Sequence, residues 1–294
     1  MELSPLINDY LKYLETEKNV SPYTLKNYRH YLLNFLEFAK SKNISKMEDI
    51  DEELIQSFKL HLSKLTDSRT STLFKKATQN YFLIALRNFI WYLSDHKKIN
   101  TLRAMEIHLL KQEIKSPKTL DSETLASLLC APLGDLPGLR DKAILSVLSA
   151  TGMKISELAL LNRGSFSFTN QTVAVPGKKE RVLDIPSSTV GALEGYLRAR
   201  KDPFKPLFIR FKGSIDSSSI GEHMRLTPRS IERMVKKYAQ NLGLEMEVTP
   251  QVLRHSFALS LISDGEKLDT VQKVMGHTSK ASTKVYEKLA RENL

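Results

Sequence analysis

Near the end of a 294-residue chain, Arg254, His277 and Tyr286 stand 23 and then 9 positions apart, inside the run from Thr249 to Tyr286. The three side chains have complementary uses. A guanidinium presents a planar fork of donors to the oxygens of one phosphate, an imidazole exchanges protons near neutrality, and a phenol oxygen is a nucleophile once relieved of its proton. Thr249 and Pro250 read as an N-cap followed by proline at the first helical position, and Leu253, Phe257, Leu261 and Ile262 recur at helical spacing up to Asp264-Gly265. Arg254 and its neighbour His255 fall in the first turns of that helix, where free N–H groups and the helix dipole favour an anion. Leu268, Val271, Val274 and Met275 give a second short apolar face ending at Gly276, which puts His277 just past a helix C-terminus. Tyr286 belongs to a third helix opened in the Ser279 to Ser282 region. Three short elements of this kind can bring arginine, histidine and phenol to one phosphate.

Composition fits a polyanionic partner. The chain carries 44 Lys+Arg and 33 Asp+Glu, a formal charge of +11, with 18 basic against 14 acidic side chains before residue 116 and 26 against 19 after it. Both halves are cationic, which suits two units that close round a nucleic acid. With 41% hydrophobic residues the chain can bury a core, and its length points to two domains. The one cysteine, Cys130, excludes an internal disulfide, and its apolar helical setting, L-L-C-A-P, reads as a core thiol in a reducing compartment. No run approaches about 18 apolar residues, and the opening M-E-L-S-P lacks the basic region and apolar run of a secretion signal. A cytoplasmic protein with no membrane partner is expected.

The elements that must position the C-terminal residues read mainly as helices. Ser4-Pro5 opens one that carries Leu6, Tyr10, Leu11, Tyr13 and Leu14, and Ser21-Pro22 opens a second with Leu25, Tyr28, Leu32, Phe35, Leu36 and Ala39 on one face. Leu54, Phe58, Leu62 and Leu65 mark a third. A fourth is expected from about Ser71 to Ser94, with Tyr81, Ile84, Ala85 and Phe89 inward and Lys75, Lys76 and Arg87 outward. Residues 111–119 (K-Q-E-I-K-S-P-K-T), polar and basic with Pro117, read as a linker between a helical domain of residues 1–110 and a second domain of residues 120–294. In the latter, Asp121 caps a helix through Cys130, and Leu139 to Ser149 form an apolar, buried helix that ends at Thr151-Gly152. Thr172 to Val175 and Val182 to Ile185 make a hairpin round P-G-K-K-E-R. Ser187 or Ser188 caps the next helix, and Thr227-Pro228 opens a basic one with Arg229, Arg233, Lys236 and Lys237. The fold class is mainly α with a small β-hairpin, in two domains.

The segments L-R-H-S-F-A, M-G-H-T-S and S-T-K-V-Y closely resemble the second conserved region of the tyrosine recombinases, the family of phage integrases and Xer-type recombinases, and the interval from Arg254 to His277 agrees with it. The phrase Y-L-E-T-E-K-N-V-S-P-Y-T-L-K-N-Y resembles the opening of that family's SAM-like core-binding domain, so the resemblance covers nearly the whole chain. A-T-G-M-K-I-S-E-L-A-L-L is similar to the first conserved region, where the residue after T-G-x is normally the first catalytic arginine. Here that residue is Lys154, and Glu157, on one helical face with it, matches the family's acidic position. The family's catalytic lysine lies on a hairpin and follows a glycine, which points to Lys178 over Lys179.

The resemblance implies an enzyme that cuts and rejoins duplex DNA at specific sites, assembles as a homo-tetramer on paired sites, and needs neither nucleotide nor metal cofactor. It also implies roles. Tyr286 forms a 3′-phosphotyrosine, Arg254 and Lys154 clamp the phosphate, His277 donates to a phosphate oxygen, and Lys178 is the general acid for the leaving 5′-oxygen. Two positions depart from the pattern. Gln251 stands where the family usually has histidine, three residues before the second arginine, and an amide cannot take the tyrosine's proton at neutral pH. Lys154 keeps the charge but lacks the planar fork; if that equals loss of one transition-state donor, the cost is about 3 kcal/mol, on the order of a hundredfold in rate. A catalytically impaired DNA-binding protein of the same fold is the alternative reading, and a type IB topoisomerase, which shares the phosphotyrosine chemistry, a more distant one. The chain ends eight residues after Tyr286, shorter than the C-terminal helix that family members commonly pass to a neighbour.

Overall fold

The computed structural model describes residues 1–67, 70–112, 116–177, 180–213 and 220–292, so the expected general acid Lys178 and its neighbour Lys179 lie outside the described residues. Two compact units, Met1–Ile114 and Lys115–Leu294, divide the chain. Among the described residues no helix is long and apolar enough to cross a membrane.

The first unit packs α1 (Leu3–Thr16), α2 (Pro22–Ser41), α3 (Glu52–Lys64) and α4 (Lys76–Asp95) round one core. Short polar side chains set the starts of α2 and α3, while α1 and α4 begin after Glu2 and Lys75 without a side-chain cap. Ser21 accepts from the Thr24 N–H with proline next to it, and Asp51 accepts from the Leu54 N–H, each satisfying an orphan donor of the first turn. Leu32, Phe35, Phe58, Leu83 and Phe89 are wholly buried. Helix α4 begins at Lys76, not near Ser71, because Thr66 and Leu73 pair in an antiparallel bridge that keeps the preceding chain extended. Tyr81, expected inward, is 57% exposed. The buried stripe runs through Phe82, Leu83, Leu86, Phe89, Ile90 and Leu93, one position round the helix, and Tyr81 stacks on Tyr31 at its edge.

In the second unit, α5 (Ser122–Cys130) and α6 (Leu136–Thr151) lead into the short α7 (Ile155–Ala159). A three-stranded antiparallel sheet follows in the order β1 (Phe166–Ser167), β2 (Thr172–Val175), β3 (Arg181–Asp184), with Val173 opposite both Phe166 and Leu183. The hairpin was legible, but β1, two residues long, is too short to show alternation. Helices α8 (Ser187–Ala199), α9 (Pro228–Asn241), α10 (Pro250–Ser263), α11 (Leu268–Met275) and α12 (Ala281–Glu292) complete the unit. Central α6 buries Ala143, Ile144, Leu145, Val147 and Leu148. Two expectations need correcting. Cys130 is exposed, since α5 buries Leu128 and a residue two places on points roughly the opposite way. Helix α8 has no serine cap: Pro186 holds that position, and the Ser187 hydroxyl donates instead to Gln171 Oε1.

Candidate active site

Arg254 is the fifth residue of α10, a helix started by the Thr249 side chain on the Val252 N–H and by Pro250 at its first position. The rest of the helix buries Val252, Leu253, Ser256 and Ala258, which fixes the arginine's direction. Its side chain is 3% exposed and donates to two backbone carbonyls, Gly152 O and, at 2.6 Å, Met275 O. Those carbonyls close two helices. Gly152 is the left-handed cap of α6 (φ +55°) and Gly276, next to Met275, is the left-handed cap of α11 (φ +62°). Carbonyls at such ends lack intrahelical partners and carry the negative pole of the dipole, so one cation satisfies both. Burial works against the guanidinium's charge, while Glu157 and Tyr286 favour it. By gripping both caps, Arg254 sets the positions of Lys154, two residues after Gly152, and His277, one after Gly276.

Lys154 is the exposed N-cap of α7. The Lys154 ammonium attracts the Glu157 carboxylate, but the hydrogen bonds of Glu157 go elsewhere. The carboxylate folds back onto the Lys154 N–H at 2.8 Å and takes two bonds from Arg181, from Nη1 at 3.2 Å and Nη2 at 2.8 Å. Burial pushes the Glu157 carboxyl up, but the Arg181 guanidinium and the Lys154 N–H outweigh it, and the group sits below the usual carboxylate range. Glu157 is therefore a structural anion that shapes the turn after α6.

Tyr286, on α12, is 2% exposed, and burial pushes its phenol above the ordinary value. Its Oη lies 2.7 Å from His255 Nδ1. His277 lays its ring parallel to the phenol, centroids 6.3 Å apart, and bonds through Nδ1 to the buried Thr283 hydroxyl at 2.9 Å. Burial first, then Arg254, Lys154, His255 and Arg181, lowers the His277 pKa to about 4, so the ring is neutral at pH 7 and has one N–H to give. Gln251, one turn before His255, is exposed, with its Nε2 3.3 Å from His255 Nε2.

Lys154, Gln251 and Arg254 line one cleft of about 330 Å3 together with Met153, Ile155, Glu232, Thr249 and Pro250. Two cations and an amide donor at its wall, beside the first turn of α10, make it a site for an anion. His277 and Tyr286 stand behind the same arginine, outside that cleft. Arg181, His255 and Thr283 were not among the expected site residues. For His255 the signal was its place beside Arg254, for Arg181 its place at the end of a basic hairpin, and for Thr283 its place in S-T-K-V-Y, three residues before Tyr286.

Comparison with known proteins follows the same lines. The phage integrase family model matches residues 118–293, and the phage integrase N-terminal SAM-like domain matches residues 7–97. The chain is 32% identical to the tyrosine recombinase XerC of Pelotomaculum thermopropionicum, over 98% of this chain and 94% of that protein. Among solved structures it is similar to the XerH site-specific recombinase bound to difH substrate in a pre-cleavage complex, with a TM-score of 0.68 and 24% identity over 94% of this chain and 80% of that one. The Tn1549 transposon integrase in complex with a circular intermediate DNA gives a TM-score of 0.73 at 18% identity, covering 100% of both chains.

Proposed function

The chain belongs to the phage integrase family and is a tyrosine site-specific recombinase, and on that premise we propose that it holds duplex DNA and exchanges strands through a 3′-phosphotyrosine on Tyr286. The observation that carries this reading is the placing of Arg254: one buried guanidinium ties the ends of α6 and α11, lines a cleft of about 330 Å3 with Lys154 on one side, and neighbours His277 and Tyr286 outside that cleft on the other. In the reaction the Tyr286 oxygen attacks phosphorus as the 5′-oxygen leaves. Negative charge grows on the two non-bridging oxygens, where Arg254 and Lys154 oppose it and neutral His277 donates a hydrogen bond. Lys178, assigned by resemblance, gives the leaving 5′-oxygen its proton. Rejoining reverses the sequence with the 5′-hydroxyl of another strand, so bond energy is kept throughout.

Tyr286 is covered in this structure, and loading onto DNA must shift α12 far enough to bring its oxygen to phosphorus. The proposed assembly is a tetramer of this chain on two sites, acting in the cytoplasm. A domain of residues 1–110 and a domain of residues 120–294, joined by residues 111–119, both bind the duplex, and affinity falls steeply with salt as counterions are displaced. A second reading, a protein of this fold that holds DNA without cutting it, draws on Lys154, Gln251 and the covered phenol. A nicked suicide duplex separates the two. The recombinase leaves DNA covalently attached in wild type and none in Tyr286→Phe; absence of any adduct at protein excess leaves only the binding role.

A further inference from the structure

Gln251 cannot accept the phenol's proton, yet Tyr286 must lose it to attack. Among the described residues the nitrogen placed against that oxygen is His255 Nδ1, at 2.7 Å. His277 is not placed for the task, because it offers the phenol a parallel ring face and its Nδ1 is engaged by Thr283. The second nitrogen of His255, Nε2, faces the Gln251 amide at 3.3 Å. The orientation of that amide decides the tautomer. With the amide nitrogen toward Nε2, the ring proton sits on Nδ1 and blocks acceptance from the phenol. A half-turn of the amide presents its oxygen to Nε2–H and leaves Nδ1 bare.

We infer that His255 is the general base for Tyr286, and that Gln251 is a positioning residue that fixes the competent tautomer. The inference rests on the recombinase reading above. In the step, a lone pair of Tyr286 Oη forms the bond to phosphorus while the phenol proton passes to Nδ1. The bond from phosphorus to the 5′-oxygen breaks, and that oxygen takes a proton from the acid assigned to Lys178. In rejoining, the incoming 5′-hydroxyl gives its proton to that lysine and His255 returns its own to the departing phenol. The groups facing His255 are Arg254 on its own helix, Tyr286 from α12 and His277 beyond α11. Burial, with the Arg254 charge, lowers the His255 pKa and keeps the accepting, neutral form in place at pH 7.

The test is single-turnover cleavage of a nicked suicide duplex bearing a site that the protein selects from random sequence. His255→Ala and His255→Asn are expected to bind that duplex as wild type does, to form adduct about a hundredfold more slowly, and to lose the acid limb of the pH–rate profile. Added imidazole restores the rate of His255→Ala in proportion to its concentration. Gln251→Glu, which keeps His255, moves the acid limb to higher pH, because a carboxylate on Nε2–H favours imidazolium. Wild-type rate with the limb intact in His255→Asn, no imidazole rescue of His255→Ala, or an unmoved limb in Gln251→Glu overturns the inference. Adduct in wild type and none in Tyr286→Phe keeps the recombinase reading standing in each of those cases; no adduct from wild type overturns both.

Discussion

Arg181 grips Glu157 through both terminal nitrogens, at 3.2 and 2.8 Å, while its Nε–H is donated to the Val274 carbonyl at 2.9 Å. Strand β3 is thereby tied both to the turn that bears Lys154 and to the end of α11 that bears His277. Both side chains of the ion pair are 13% exposed, so removing one leaves a charge without compensation in a poorly solvated place. Arg181→Ala should cost about 3 kcal/mol in urea denaturation at pH 7. The sign with pH follows from the lowered Glu157 pKa: the pair's contribution is complete above the unfolded carboxyl value of about 4.3 and fades as pH falls through the lower folded value. Equal losses at pH 7 and at pH 3 would rule the ion pair out as the cause.

Gly276 is the hinge of that arrangement. Its φ of +62° is left-handed, and a Cβ there would lie 2.9 Å from Arg181 Nη1. Gly276→Ala should therefore lose about 1 to 2 kcal/mol from backbone strain and also slow cleavage, because Arg181 must move away and His277 is the next residue. Unchanged cleavage with the expected loss of stability would detach Arg181 from the positioning of His277.

His277 gives a separate acid dependence. Its folded pKa of about 4 lies below the unfolded value near 6.5, so the unfolded chain binds more protons between those values and stability rises with pH across that window. The contribution is whole above about pH 6.5 and is lost as pH falls toward 4. Thermal melting of His277→Gln should show a flatter slope over that range than wild type. The same slope in both proteins would place the titration elsewhere.

Legibility in the sequence followed the locality of each signal. The helix starts at Ser21, Asp121, Thr227 and Thr249 depend on a side chain and an N–H three residues away, and each was readable. So were the glycine stops at Gly152 and Gly276, which need a left-handed residue. Tyr81 and Cys130 were misplaced because apolar character does not say which of two neighbouring stripes a partner will cover. Arg254, His277 and Tyr286 stood out by type and spacing, but the arginine's grip on Gly152 and Met275 spans 102 and 21 positions. Contacts of that kind leave no periodic trace, and the bond from Arg181 to Glu157 or from His255 to Tyr286 is of the same sort.

In the proposed reaction Lys154 sets the rate of cleavage. It is exposed at the mouth of the cleft that Arg254 lines, and its charge reaches His277. An ammonium there supplies charge to a phosphate but not the paired, planar donors of a guanidinium, whose advantage is greatest when two equatorial oxygens carry growing charge. Ground-state binding is spread over many phosphates and changes little with one side chain. Lys154→Arg should therefore raise the single-turnover cleavage rate about tenfold or more while leaving DNA affinity nearly unaltered. Lys154→Ala should lower the rate by a further factor of about a hundred, as loss of a transition-state donor does. Glu157 bonds the backbone N–H at this position and not the side chain, so neither change should disturb the turn, and melting temperatures should stay close to wild type. A gain in affinity that matches the gain in rate would place Lys154 on the bound duplex at large and not on the scissile phosphate.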